Sequence, residues 1–340
     1  MKQIWITKAG APEVLQVREA PDPVPAANEV RIRVRAAGIN FADLMARMGL
    51  YPDAPPLPCV VGYEVSGIVD AVGPGVTNAA VGDRVFGMPK FGGYSDTVVL
   101  SEKQVFRMPE TMTFEEGAAL PVVYITAFHM MMFSGHLRSR SRILIHSAAG
   151  GVGQAAIQLA KTRDCEIFGI ASAPKHAYLK ELGCHHTLEE ATYVEQVRAL
   201  TEGRGVDLIL DPVGGKSWTE GYDLLAPAGR LVAFGLSAAA SGKKRNLLRA
   251  LGQVLQVKKW SPIKLMEDNK QIAGCNMGHL FGELDMLREE FTTLLELYEA
   301  GKIKPHVDRT FPFSEAAAAH HYIHDRKASG KVLLVPDNQA

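Results

Sequence analysis

Two kinds of apolar patterning divide the chain. Residues 29–35 read Glu-Val-Arg-Ile-Arg-Val-Arg, the two-residue period of a strand with one face buried and the other wet. Short runs at residues 65–72, 83–86 and 94–99 continue this pattern, punctuated by Gly73-Pro74-Gly75 and Gly92-Gly93. They predict an all-β lobe over about the first 120 residues, with turn chemistry at regular intervals. Pro12, Pro21, Pro23 and Pro25 suit an edge and a connection, because proline gives no N–H to a ladder.

The middle of the chain changes period. Ile143-Leu144-Ile145-His146 reads as a short buried strand, Ser147-Ala148-Ala149-Gly150 as a small-residue turn, and Gly151-Val152-Gly153 as the opening of a helix. Val152, Ala155, Ala156, Leu159 and Ala160 recur at helical spacing. Further strands are predicted at 165–171, 206–210 and 229–235, with a helix over 174–182 that Gly183 ends. Strands alternating with helices predict an α/β fold with a parallel, doubly wound sheet. A helix at 285–300 stops at Gly301, and residues 307–311 and 331–335 read again as short strands.

A strand, a tight turn and a helix N-terminus form the first half of a dinucleotide-binding unit. The turn reads A-x-G-G-V-G, with Ala148 or Ala149 replacing the first glycine. Small residues let a pyrophosphate approach the backbone, and the helix start offers free N–H groups and the positive dipole end. Ala149, Gly150, Gly151, Val152 and Gly153 are therefore the candidate pyrophosphate-binding residues.

Composition narrows the classes. The 340 residues balance 37 basic against 37 acidic side chains, which does not point to nucleic acid. Cys59, Cys165, Cys184 and Cys275 form no C-x-x-C pair, a usage suited to a reducing cytoplasm. The start, MKQIWITKAG, has no apolar core, so no signal peptide is expected. Residues 117–137 carry no Asp, Glu, Lys or Arg, a length that spans a bilayer. Pro121, Thr126, His129, Ser134 and His136 interrupt it, and a buried inter-domain helix is the reading taken. His320 and His324 have the i, i+4 spacing of a metal-binding helix, but no third ligand follows at a matching spacing; a solvated helix is expected. Lys243-Lys244-Arg245, Arg249 and Lys258-Lys259-Trp260 suit either an anionic membrane surface or, preferably, the basic outer face of an insertion over 241–270.

NFADLMARMGLYP from Asn40, GYEVSGIV from Gly62, GDRVFG from Gly82, the A-x-G-G-V-G turn and DPVGG from Asp211 occur in this order. As a set they resemble the medium-chain dehydrogenase/reductase superfamily, and within it the zinc-free quinone oxidoreductase (zeta-crystallin) branch. SAPKH, KRNLL, GKIKPHVD and GKVLLVP bring the chain nearest to the vesicle amine transport protein homologues of that branch. The resemblance implies a GroES-like catalytic lobe from residues 1–122, completed by 304–340. A Rossmann lobe over 123–303 and a substrate cleft between the two complete the implied architecture.

It also implies where a catalytic zinc would sit in relatives that have one. Those positions hold Asn40 and Tyr63 here, and no cysteine lies near residues 91–93. Zinc prefers thiolate, imidazole or carboxylate, so chemistry without metal is expected. Asn40 and Tyr51 are the candidates to orient a carbonyl and donate or relay a proton. Met45 stands where some relatives have a second tyrosine, and Asp43 with Arg47 is expected to brace the loop as a salt bridge. No acid occupies 171–176, where one would bind the ribose 2′-hydroxyl of NAD. Ser172 and Lys175 are placed to take a 2′-phosphate, with a solvated lysine as the alternative. A tyrosine that relatives use for the same phosphate falls near Leu188 or Glu189. By resemblance alone, Thr126, Gly235, Met277 and Lys331 also lie near the cofactor.

The expected function is an NADPH-dependent, zinc-independent reductase of quinones or α,β-unsaturated carbonyls. The alternative is a nucleotide-binding protein that associates with a membrane or a partner. A homodimer is expected through an apolar edge strand between Gln271 and Met277, whose exposed edge would otherwise favour aggregation.

Overall fold

The computed structural model describes residues 1–240, 251–253 and 255–337. The basic residues Lys243, Lys244, Arg245 and Arg249 lie outside the described residues.

The first lobe starts with a hairpin of β1 (Lys2–Ile6) and β2 (Leu15–Glu19). Its main sheet uses β3 (Glu29–Gly38), β4 (Val65–Val72), β5 (Arg84–Gly87), β6 (Thr97–Ser101) and β7 (Val105–Arg107). The alternation in β3 has its expected cause. Val30, Ile32 and Val34 are buried, while Arg31 and Arg33 on the opposite face both reach Asp70 of β4, at 2.8 and 2.7 Å.

The second lobe holds β8 (Arg142–Ile145), β9 (Glu166–Ile170), β10 (His186–Leu188), β11 (Val206–Asp211), β12 (Leu225–Ala233) and β13 (Gln271–Gly274). They form one parallel sheet in the order β10-β9-β8-β11-β12-β13. The order reverses direction between β8 and β11, the switch point where doubly wound sheets bind their ligands. After this sheet the chain returns to the first lobe. There β14 (Val307–Pro312) pairs in parallel with β15 (Lys331–Val335), and β15 runs antiparallel to the end of β3, with Leu333 opposite Gly38. That return carries Lys331 to the place where β3 delivers Asn40.

Among the helices, α1 (Phe41–Arg47) follows β3, while α2 (Phe114–Ala119) and α3 (Pro121–Phe128) connect the lobes. The second lobe adds α4 (Gly151–Lys161), α5 (His176–Leu182), α6 (Tyr193–Leu200) and α7 (Lys216–Leu224). The charge-free stretch is largely buried as far as Met131, with Phe133 and His136 exposed, and it is not one helix. α2 ends at Ala119, α3 starts afresh on Pro121, and a π-type turn covers His129–Ser134. Proline suits a first helical turn and no interior position, which explains the break. No helix among the described residues is long and apolar enough to cross a membrane.

β13 is shorter than the sequence predicts and stops at Gly274. Asn276 then accepts the Gly278 N–H at 3.0 Å and turns the chain into a short 3-10 segment at Met277–His279. Within the described residues β13 pairs only with β12, as the sheet's last strand. Trp260 of the predicted basic insertion packs against Tyr222, 5.4 Å between ring centroids, while Lys258 and Lys259 are exposed.

Candidate functional site

Asn40 ends β3 and begins α1, and its surroundings fix its side chain completely. Lys331 Nζ donates to Asn40 Oδ1 at 2.6 Å, and Asn40 Nδ2 donates to Glu64 Oε1 at 2.9 Å. A lysine can only donate and a carboxylate can only accept, so the amide has one orientation here. Lys331 and Glu64 also pair directly at 2.5 Å with both side chains buried, and the Val122 N–H donates to Glu64 Oε2 at 2.7 Å. Gly38 makes room for this: a Cβ there would lie 2.3 Å from Glu64 Oε1. One N–H of the Asn40 amide is left over for a ligand.

Beneath this cluster, Asp43 is buried and accepts from the Asn40 N–H at 2.8 Å, the Gly62 N–H at 3.1 Å and the Tyr94 hydroxyl at 3.1 Å. Burial outweighs these bonds and raises its carboxyl to about 7. The predicted Asp43–Arg47 salt bridge does not form. Arg47 instead meets His324 Nε2 at 2.5 Å, and its Nε and Nη1 have no hydrogen-bond partner among the described residues. The predicted solvated histidine pair is also corrected. His320 is buried 3.2 Å from the Tyr94 hydroxyl, and burial holds it far below the ordinary imidazole range, hence neutral.

The glycine-rich turn lies against the same cluster. Ser147 takes a left-handed conformation, the Ala148 N–H bonds to the Ile170 carbonyl, and Gly150 caps α4. A Cβ on Gly153 would sit 2.5 Å from the Ala148 carbonyl oxygen, so only glycine lets the helix close onto the turn. Ala149 gives its carbonyl to Gln154 Nε2 at 2.9 Å. The first backbone bond into α4 comes from the Gln154 N–H to Gly150, which leaves the N–H groups of Gly151, Val152 and Gly153 as the helix's unfilled donors. Small residues around open donors fit a pyrophosphate. The Lys331 stem runs to Gly151, with Cδ 3.7 Å from where a Cβ would stand there, and so joins the turn to Asn40. Thr126 is buried one turn along α3 from Val122 and donates to its carbonyl at 2.6 Å.

Tyr51 closes the other side of the cleft. Its hydroxyl lies 3.2 Å from the position a Cβ on Gly278 would take, so it touches the second lobe. Partial burial raises its pKa. Tyr63 packs beside it at 6.4 Å, between Phe91 of the first lobe at 5.3 Å and Phe281 of the second at 6.4 Å. Across the mouth, Asp53 accepts from Asn276 Nδ2 at 3.2 Å and pairs with His279 at 3.0 Å. Met277 is buried in the core of this segment. Gly235 follows β12, where a Cβ would approach the Pro212 carbonyl to 2.9 Å.

Two family profiles match the chain: the alcohol dehydrogenase GroES-like domain over residues 26–110 and the zinc-binding dehydrogenase domain over residues 182–334. The rat synaptic vesicle membrane protein VAT-1 homolog is 43% identical over 325 residues, spanning 95% of this chain and 80% of that protein. The chain belongs to the medium-chain dehydrogenase/reductase superfamily. A quinone oxidoreductase of Pseudomonas aeruginosa is 33% identical over 98% of this chain and 99% of its own. The crystal structure of Escherichia coli quinone oxidoreductase complexed with NADPH superposes with a TM-score of 0.87 at 30% identity, covering 99% of this chain and 100% of that one. Family and fold together place this chain among the oxidoreductases of the medium-chain type.

Within this medium-chain fold the remaining candidates sit apart from Asn40. Ser172 is exposed at the end of β9, and Lys175 donates from Nζ to the Ala328 carbonyl, with burial lowering its pKa. A cavity of about 590 Å³ lies between the N-terminal ends of α6 and α7, lined by Tyr193, Val213, Gly214 and Ser217 among others; it contains none of the predicted site residues. Sequence reasoning missed Glu64, whose only signal was a single acid ahead of the apolar run of β4. At the switch point His146, just after β8, and Asp211, at the end of β11, are fully buried and stand 3.7 Å apart.

Proposed function

We propose that the protein is an NADPH-dependent, zinc-independent reductase that delivers hydride to a quinone or an α,β-unsaturated carbonyl compound. The observation that carries this reading is the Asn40 amide, locked by Lys331 and Glu64 with one N–H to spare beside the glycine-rich turn. In this reading residues 1–122 with 304–340 make the catalytic unit and residues 123–303 the nucleotide-binding unit.

When bound, the cofactor supplies the hydride at its nicotinamide. Ala149, Gly150, Gly151, Val152 and Gly153 hold the pyrophosphate against the start of α4. Ser172 and Lys175 take the 2′-phosphate at the end of β9, where no carboxylate repels it; Lys175 gives up the Ala328 carbonyl to do so. Thr126, Gly235, Met277 and Lys331 bound the nicotinamide side. Asn40 donates its spare N–H to the acceptor's oxygen or to the nicotinamide amide, and Tyr51 orients the acceptor from the rim.

An enone or a quinone delocalises arriving charge onto oxygen, so preorganised donors act where it develops. At the positions where zinc-dependent relatives place metal ligands stand an amide, already committed to Lys331 and Glu64, and a phenol. Neither is a donor zinc favours, and no group of three or more metal-binding side chains occurs among the described residues. NADPH oxidation measured against a panel of quinones and enones tests the reading; firm NADPH binding without turnover across that panel rejects it.

A second reading has its own observation. Ile263 and Met266 are 64% and 73% exposed on the helix at Pro262–Asp268, with Lys258, Lys259 and Lys264 nearby. Apolar residues among lysines suit an anionic surface, and the rat relative is named a vesicle membrane protein. In this reading the cofactor site regulates attachment and turnover is slight.

A further inference from the structure

Tyr63 differs from the other polar groups of the cleft. Asn40, Glu64, Lys331 and Asp43 are all hydrogen-bonded, whereas the Tyr63 hydroxyl is covered and has no hydrogen-bond partner among the described residues. The Tyr51 phenol is close enough for a weak side-chain hydrogen-bonding interaction that shifts the pKa of both groups, but the two hydroxyls do not meet full hydrogen-bond geometry. Leaving a buried hydroxyl unpaired is costly, and such a group calls for a specific explanation.

The group is held firmly in place. Gly62 before it has φ +103° and ties its N–H to Asp43, while Glu64 after it grips Asn40 and Lys331. Tyr51, Phe91 and Phe281 pack around the ring, so the hydroxyl has no ready swing to solvent. Burial pushes its pKa upward, and the phenol keeps its proton across the working range. It is a fixed donor, neighbour in sequence to the residue that orients Asn40.

We propose that Tyr63 donates a hydrogen bond to the carbonyl oxygen of the substrate and so selects acceptors that gather charge on oxygen. This rests on the reductase reading above. Access requires the lobes to part, because Phe281 covers the ring from the second lobe. The polar contacts that span the mouth, from Asp53 to Asn276 and His279, are near the surface, and such contacts are weak.

For an enone, a C–H bond forms at the β-carbon as a C–H bond of the reduced nicotinamide breaks and the nicotinamide is oxidised, and the C=C pair shifts toward the carbonyl. The oxygen takes the charge, Tyr63 stabilises it and keeps its own proton, and solvent delivers the proton that completes the α-carbon.

Tyr63→Phe tests this by removing the oxygen and keeping the ring. With 2-cyclohexenone and with 9,10-phenanthrenequinone at saturating NADPH, kcat should fall about 100-fold, the effect of losing one such donor. The Kd for NADPH should stay within about twofold, and Tm should be unchanged or higher, since an unpaired buried hydroxyl has gone. Unchanged kcat would overturn the proposal. So would a lower Tm with parallel losses in kcat and NADPH affinity, which marks a packing role. If the wild type reduces neither compound, the reductase reading fails separately. The donor role is then read from binding of 9,10-phenanthrenequinone by fluorescence quenching. A Kd about tenfold weaker in the variant supports it, as expected for a lost hydrogen bond, and equal values overturn it.

Discussion

Lys331 Nζ and Glu64 Oε1 stand 2.5 Å apart in the interior, and the side chain of Asn40 spans both. The pair links three parts of the chain: β15, the segment entering β4 and the loop ahead of α1. Removing one partner of a buried ion pair leaves an uncompensated charge, which costs about 3–5 kcal/mol. Lys331→Met should therefore lower stability by that amount in urea unfolding, and Glu64→Gln added to it should restore part of the loss. Equal stability of Lys331→Met and the wild type would show that the pair is not an interior one.

Asp43 makes stability depend on pH. Its folded carboxyl titrates at about 7 against an ordinary 3.8, so the folded protein retains a proton that the unfolded chain releases. The contribution is complete below about pH 4 and is lost as pH rises toward about 7. Asp43→Asn cannot titrate and should flatten that part of the Tm–pH profile. A variant whose profile keeps the wild-type slope contradicts the raised pKa.

Lys175→Ala should weaken NADPH by about 1–2 kcal/mol, the scale of a charge-assisted hydrogen bond, and leave NADH nearly unaffected. Because Lys175 also donates to the Ala328 carbonyl, some loss common to both cofactors is compatible with the assignment. The difference between them, measured by titration calorimetry, is what counts. Equal losses reject a phosphate contact.

β13 lies at the end of its sheet, and Ile272 and Ala273 are only partly covered. A two-fold axis pairing this edge with its own copy would satisfy it. Light scattering should give twice the 36.9 kDa chain mass, and Ala273→Asp should dissociate the particle or impair folding. A monomer mass for the unmodified protein at micromolar concentration rejects the dimer.

Much of the scaffold was legible because its signals are local. The alternation from Glu29 to Arg35 and the A-x-G-G-V-G turn each encode one element within a few residues, and both formed as expected. Tertiary partners were not legible. Nothing near Glu64 announces Lys331, which arrives only when β15 returns beside β3. The spacing of His320 and His324 gave a helix face but not its burial against Tyr94 and Arg47. The charge-free stretch gave its burial but not its division at Pro121, since composition alone does not set helix length. β13 ended early because the Asn276 side chain, three residues before His279, captured a backbone N–H for a turn.

In the proposed reaction hydride passes directly to a conjugated carbonyl without metal. The decisive measurement uses NADPH carrying deuterium at both nicotinamide C4 positions and protein treated with chelator, with 2-cyclohexenone as acceptor. The expected result is far less than one zinc per chain, undiminished turnover, and deuterium at the β-carbon of the cyclohexanone product. Product without the label, or stoichiometric zinc whose removal abolishes turnover, would contradict it.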